Sequence, residues 1–503
     1  METRPGKPNA LRATVALAAL IALAAGGLTL ASRLPKSPPV AQGSGAASPS
    51  VDAGRALYNR YCVGCHGPRL DGGTAGNLMA PELVHGSARA EIRRSIAEGY
   101  PQSAMPGYEG ALTDQQIDAL ADFILHARGG GGTGGAVPKA AEPWSGRSDS
   151  VIDTLDYRMR VELWAEGLDD PWGIAFIDAD RALVTEKPGR LRLLQRGAPI
   201  ATITGTPEVV DGGQGGLLDV AVDPAFAENG WVYLSYSHQR GDEGSMTRVV
   251  RGKIDGGQWG STQVLFEAPA GTYRRTTYHF GSRFVFGDND TLYFSIGDRG
   301  SQDEAQRLDT PNGKVHRIHT DGRIPADNPF AGRADALPSI FSLGHRNPQG
   351  LDRHPVTGDL WDSEHGPKGG DELNVMESGL NYGWPAISYG INYNGSILTR
   401  ERVRPGLEQP AWFWRPSLGV CGIAFYTGGE FPYWQNHLLV ANLAAQDLRL
   451  LHIEERRVLH EEVILTGYGR VRDVSNGPDG AIYVLLNNPG RILRLSSGGE
   501  ALR

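Results

Sequence analysis

"GDNDTLYFSIG", residues 287–297, places the turn formers Asp288, Asn289 and Asp290 directly before the short, largely apolar run Leu292–Ile296. Asn and Asp tolerate the backbone of a tight turn, and a short β-rich run bounded by glycine reads as a strand. The same turn-then-strand unit occurs five more times: "DADRALVTE" (178–186), "AENGWVYLSYS" (227–237), "VTGDLWDSE" (356–364), "YWQNHLLVANL" (433–443) and "GPDGAIYVLLN" (477–487). The strand cores fall near residues 183, 233, 293, 360, 439 and 483, at irregular intervals of 44 to 79. Six units across about 340 residues give roughly 57 residues each, which suits a four-stranded propeller blade with its loops. The pattern predicts an all-β six-bladed propeller over residues 151–503, and leaves one or two β-sandwiches as the alternative. A content of 68 glycines and 32 prolines in 503 residues favours turns over long helices in the same way.

Upstream of this region the period is helical, and the motif is of another kind. "YCVGCHG" (61–67) sets Cys62 and Cys65 three apart with His66 following. On one helical turn both sulfurs reach the vinyl groups of a haem, and the histidine is held beneath the iron: this is C-x-x-C-H, the pattern of covalent haem c attachment. A zinc site would need two more ligands nearby, and the one remaining cysteine, Cys421, is far along the chain, where it reads as a buried small residue. Met105 in "SAMPGY" is the expected distal ligand, with Met79 in "NLMAPEL" as its rival. "LTDQQIDALADFILHARG" (112–129) predicts a helix with Thr113 and Gln116 as a capping box, an apolar stripe of Ile117, Leu120, Ala121 and Ile124, and Gly129 as its stop. Residues 51–128 resemble a small all-α class I cytochrome c.

Residues 13–32 carry no charge and follow Arg4, Lys7 and Arg12, which is the pattern of a signal peptide or an uncleaved membrane anchor within residues 1–50. Either predicts that the bulk of the chain lies on the periplasmic side. "GGGGTGG" (129–135), followed by "AVPKAAEP", predicts a flexible linker over 129–150. The net charge of −8, with no basic cluster, argues against a nucleic-acid partner.

Fold alone does not give function. "YHFGSRFVFGDNDTLYFSIGDRG" (278–300), "LGHRNPQGLDRHP" (343–355), "SEHGPKGGDELN" (363–374), "NYGWP" (381–385) and "GYGRVRDVSNGPDG" (467–480) together resemble the soluble glucose dehydrogenase and aldose sugar dehydrogenase family. That family uses pyrroloquinoline quinone (PQQ), and the resemblance covers about residues 155–497. A flat tricarboxylate with an ortho-quinone calls for guanidinium forks and an electrophile beside the quinone. Arg470 and Arg472, two apart, would face one side of an extended segment and clamp carboxylates, or else form a solvated strand face. The resemblance implies cofactor contacts at Gln214, Arg346, Asn347, Gln349 and Tyr393, with Arg346 stabilising charge on the reduced quinone. It implies His279 as the base that takes the anomeric hydroxyl proton, and Asp298 as the acid that orients it. His238, His316, His345 and His354 read as structural.

Calcium is the implied metal, held by the carbonyls of Gly366 and Pro367, with a second, structural ion at Glu372 and Tyr382. Two positions depart from the family pattern: His365 where a glutamine is common, and Ala444 where a lysine is common. The expected function is an exported quinohaemoprotein oxidising aldoses to lactones, its haem passing electrons to a downstream cytochrome or respiratory chain. A calcium-dependent propeller lactonase and a cofactor-free binding propeller are the competing classes. The lactonase would want acidic residues converging on the ion, and it gives no reason for a haem.

Overall fold

The computed structural model describes residues 49–62, 66, 70, 77–100, 105, 107–109, 112–128 and 149–502. The anchor segment 13–32, the linker residues 129–148 and Cys65 lie outside the described residues. Among the described residues no helix is long and apolar enough to cross a membrane.

Six antiparallel sheets make a six-bladed propeller. The innermost strands are Pro171–Phe176, Leu217–Val222, Phe284–Gly287, Pro348–Arg353, Val420–Phe425 and Arg470–Asn476, for blades 1 to 6 in order. Each of the six turn-then-strand units is the second strand of its blade, as Thr291–Ile296 is in blade 3. Buried on both faces between neighbouring blades, these strands lose the alternation of a half-exposed sheet; all five residues of Leu360–Glu364 and of Leu438–Asn442 are buried. In the opening stretch Asn289 and Asp290 take positive φ, 57° and 55°, so the hairpin turns where the Asn/Asp cluster stands. The irregular spacing has a simple source. Residues 377–411 run between the third and outermost strands of blade 4, which stretches the interval to blade 5.

The ring closes in blade 6, where Tyr157–Glu166 from the start of the propeller pairs with Arg491–Ala501 from its end. Pairing the two chain ends locks the ring of blades, and only the outermost strand of each blade is left as an edge. Three inner strands are also stitched to the next blade by an aspartate. Asp219, Asp352 and Asp473 accept the backbone N–H of Phe284 (2.7 Å), Phe425 (2.7 Å) and Ile174 (3.3 Å). Burial raises Asp219 and Asp352 to about 7.

The N-terminal domain is built on α1 (Pro49–Tyr61), α2 (Arg89–Glu98) and α3 (Asp114–Arg128). The capping box of α3 forms: Thr113 N–H donates to Gln116 Oε1 (2.9 Å) and Gln116 N–H to Thr113 Oγ1 (3.3 Å). Its stripe of Ile117, Leu120, Ala121 and Ile124 is buried against Tyr58, Ile92 and Ile96. α1 crosses α3 at Gly54, where a Cβ would stand 2.0 Å from Ala119 O. A larger residue there would push the helices apart.

Candidate active site

The inner strands deliver polar side chains to the propeller axis. Arg283 lies deepest, its guanidinium 3.0 Å from both Asp219 and Asp473 and 4.3 Å from the centre of the Trp172 ring. Burial disfavours its charge, but the two carboxylates outweigh burial and raise its pKa. Trp172, against whose ring this guanidinium lies, forms one wall of a cleft. Gln214, Gln349, His365, Arg470 and Arg472 line it. Bulges interrupt the ladder on either side of Val471, yet both arginines still face the cleft. Arg472 Nη1 donates to Gln349 Oε1 (2.9 Å), and its buried Nε has no hydrogen-bond partner among the described residues.

His279 stands in the turn leading into blade 3 with φ of 58°, a costly conformation for a residue with a Cβ. Its N–H donates to Gln214 Oε1 (2.8 Å), and its Nδ1 lies 2.6 Å from Asp298 Oδ1. Asp298 is fully buried and also accepts from Trp384 Nε1 (2.8 Å) and Gly300 N (2.8 Å). Burial alone would raise this carboxyl, but the charge and hydrogen bond of His279, with Arg346, hold it below the usual carboxylate range. Burial and then Arg346 push the His279 pKa down against the pull of Asp298. The imidazole is therefore neutral at neutral pH, with Nδ1–H donated to Asp298 and a lone pair on Nε2.

Arg346 donates through Nη1 to His365 O (2.9 Å), with its guanidinium 5.4 Å from the Trp384 ring centre and 6.0 Å from that of Tyr393. Asn347 Oδ1 accepts from Gly281 N (3.1 Å) and Gln349 Nε2 (3.3 Å), while its buried Nδ2 has no hydrogen-bond partner among the described residues. His365 joins this cleft to a second cavity lined by Arg346, Gly366, Pro367, Glu372 and Tyr382. Burial, then Arg472 and Arg346, drive its pKa well below 6.5. Gly366 is held by Asp371, whose Oδ1 accepts its N–H (3.0 Å) while Oδ2 gathers the N–H groups of Leu418, Gly419 and Val420. A Cβ on Gly366 would lie 1.9 Å from Gly370 O, so this turn admits glycine alone.

In the second cavity burial, then Glu364 and Asp371, raise Glu372 well above the usual range. The Tyr382 hydroxyl is committed to Val375 O (2.7 Å) and Glu377 N (2.9 Å), which leaves its backbone carbonyl as the oxygen a cation could use. Behind it His345, Asp362 and Glu364 converge within 4.8 Å, and both oxygens of the fully buried Asp362 lack hydrogen-bond partners among the described residues. Crowded, uncompensated carboxylates of this kind fit a hard cation. Orphaned donors at Asn347 and Arg472 likewise fit a ligand rich in carboxylate and carbonyl oxygens.

Sequence reasoning missed several of these groups. Arg283 sits inside an apolar run, and an arginine there was the one available signal. Lys187 lines the main cleft, bonded to Gly213 O (3.0 Å) and 3.1 Å from Asp170; it brings a cation to a site where Ala444 replaces the family's lysine. Cys421 is buried as expected, but its Sγ also touches Arg472 Nη1 (3.5 Å) and His365 Nε2 (3.7 Å). Trp384, which donates its indole N–H to Asp298, lay in the "NYGWP" motif without a role.

Residues 168–494 match the model of the glucose/sorbosone dehydrogenase family. The chain belongs to that family. Its propeller is therefore a PQQ-type sugar dehydrogenase domain, and the protein is an oxidoreductase. Residues 49–124 match the model of the cytochrome c oxidase cbb3-type subunit III, which gives the N-terminal domain its cytochrome c class. The chain is 38% identical over 344 residues to the aldose sugar dehydrogenase YliI of Escherichia coli, covering 67% of this chain and 93% of that one. A solved glucose dehydrogenase superposes with TM-score 0.65 at 39% identity, covering 68% of this chain and 99% of that one. The PQQ-bound aldose sugar dehydrogenase of Streptomyces coelicolor superposes with TM-score 0.56 at 26% identity, covering 68% and 99%.

In the cytochrome domain His66 N–H donates to Cys62 O (2.9 Å), a helical turn that keeps the motif compact. Met105 is half-buried, and its backbone pairs with Tyr100. Arg128 ties down the carbonyls of Leu78 (2.5 Å) and Ala80 (2.9 Å), and Met79 between them is 41% exposed.

Proposed function

We propose that the chain oxidises aldose sugars at C1 to lactones and passes the electrons to its own haem c. The observation that carries this reading is the neutral His279, buttressed by Asp298 and bonded through its backbone N–H to Gln214, which lines a cleft together with Arg470 and Arg472. When bound, PQQ supplies the acceptor for the hydride leaving C1. His279 Nε2 takes the C1 hydroxyl proton, and Asp298 steadies the imidazolium that results. Arg346 presents a cation beside this pair, where negative charge gathers on the acceptor. Arg470 and Arg472 would hold carboxylates of the cofactor, with Gln214, Asn347, Gln349 and Tyr393 completing its cradle. The carbonyls of Gly366 and Pro367 would hold calcium, and Glu372 with the Tyr382 carbonyl a second ion.

Haem c would be attached at Cys62 and Cys65, and His66 and Met105 would hold its iron. Residues 13–32 carry the pattern of export, which agrees with haem attachment outside the cytoplasm; we place the enzyme on the periplasmic side, anchored by that segment or released by its cleavage. The test is His279→Asn in the full chain, with PQQ binding measured first and sugar-dependent haem reduction second. Binding should be retained and reduction should fall by about 10²- to 10⁴-fold. Normal reduction in the variant refutes the mechanism.

A further inference from the structure

The turn that carries Gly366 and Pro367 continues into a residue that lines neither cavity. Lys368 directly follows Gly366 and Pro367, but its side chain lines neither the main cleft nor the second cavity. Its backbone is clamped: Lys368 N–H donates to Ile391 O (2.9 Å), and Ile391 N–H donates back to Lys368 O (3.1 Å). From this fixed base Nζ reaches to 4.6 Å from the centre of the Tyr61 ring in the cytochrome domain. Tyr61 is the last residue of α1 and immediately precedes Cys62. It too is fixed from behind: Tyr108 meets its ring edge-on at 5.8 Å and donates its hydroxyl to Tyr61 O (3.1 Å).

An ammonium over an aromatic face is attracted by the ring quadrupole. The attraction is modest, but an intramolecular partner needs only a modest contact, because the tether keeps its local concentration high. What marks the contact out is its position. On one side it is a single residue from Pro367, whose carbonyl would hold the cofactor's ion; on the other it is a single residue from Cys62, whose sulfur would hold the haem. Each partner is pinned by its own domain, so the contact fixes orientation as well as proximity.

We propose that the Lys368–Tyr61 contact is the seat on which the cytochrome domain docks, and that electrons leave the propeller across it. The proposal rests on the dehydrogenase reading above. Each sugar yields two electrons and two protons. Haem iron takes one electron per passage, Fe(III) to Fe(II), so two passages occur per turnover; an external one-electron acceptor reoxidises the iron between them, and the protons go to solvent.

The experiment uses the full chain carrying haem, PQQ and calcium, as wild type, Lys368→Ala, Lys368→Arg, Tyr61→Leu and Tyr61→Phe. Haem reduction after mixing with an aldose should slow at least tenfold in Lys368→Ala and Tyr61→Leu. A small diffusible dye that meets the cofactor directly should be reduced at the wild-type rate, and the Arg and Phe variants, which keep a cation over a ring, should reduce haem within threefold of wild type. Independently of substrate, hydroxyl-radical labelling of Tyr61 in the haem-loaded chain should rise at least threefold in Lys368→Ala. Unchanged haem reduction in both disruptive variants, or unchanged Tyr61 labelling, overturns the proposal. A wild-type chain that oxidises no sugar in either assay refutes the dehydrogenase reading, while the labelling still decides the seat.

Discussion

Replacing Asp298 with asparagine tests the catalytic pair at its buried end. The carboxylate accepts three hydrogen bonds, from His279 Nδ1 at 2.6 Å and Gly300 N at 2.8 Å on Oδ1, and from Trp384 Nε1 at 2.8 Å on Oδ2. An amide has one oxygen for these two positions. If the oxygen faces His279, the NH₂ confronts the indole N–H, and a buried unpaired donor costs about 1–3 kcal/mol. The imidazolium formed in the reaction also loses a charge-assisted partner worth about 1.5–3 kcal/mol, or roughly 10- to 150-fold in rate. If the amide flips, His279 must carry its proton on Nε2 and has no lone pair for the substrate, a loss that reaches about 10⁴ in triads with the wrong tautomer. The expected fall in kcat/KM is thus about 10- to 10⁴-fold with PQQ affinity retained. Asp298 also raises the His279 pKa against burial and Arg346, so its loss should move the acid limb of the pH–rate profile to lower pH. A variant within threefold of wild type, or an acid limb that moves up, refutes this account of the pair.

Met105→Ala should abolish the sulfur-to-iron absorption band and lower the haem potential while dye-coupled sugar oxidation persists; Met79→Ala should leave the band intact, and the reverse result would move the ligand to Met79. Arg472→Ala removes a charge-assisted contact of about 1.5–3 kcal/mol, so PQQ titration of the apoprotein should show affinity at least about tenfold weaker. Burial lowers the pKa of His316 to about 3, with Ser339 and Pro311 on its two ring nitrogens. The unfolded chain then takes up this proton first, near the ordinary value of about 6.5, and stability drains away as pH falls from there toward about 3, by up to about 1.4 kcal/mol per unit. His316→Gln should flatten the fall in urea midpoint between about pH 6.5 and 4.5, and an unchanged slope would assign that fall to other groups.

Much of the architecture is written locally. A turn cluster followed by an apolar run is a property of about ten adjacent residues, and all six such units became second strands because burial between blades demands that composition. The haem motif, the capping box of Thr113 and Gln116, and the paired spacing of Arg470 and Arg472 are equally short-range, and they could be read without knowing what lies opposite. Family motifs supplied His279, Asp298 and Arg346, whose roles spacing alone does not give.

What the tertiary structure decided lies between residues that no local pattern connects. Arg283 meets Asp219 and Asp473, and Trp384 meets Asp298, because a closed ring of blades brings the ends of distant strands to one axis. Lys187 enters the cleft by the same convergence. His345, in the connection leading into blade 4, is brought by folding against Asp362 and Glu364 of that blade's second strand. The contact of Lys368 with Tyr61 joins two domains far apart in the sequence. Charge and hydrogen bonding act over a few ångströms of space, whereas sequence patterns report only a few residues of chain, so the scaffold was legible and the partners of its buried charges were not.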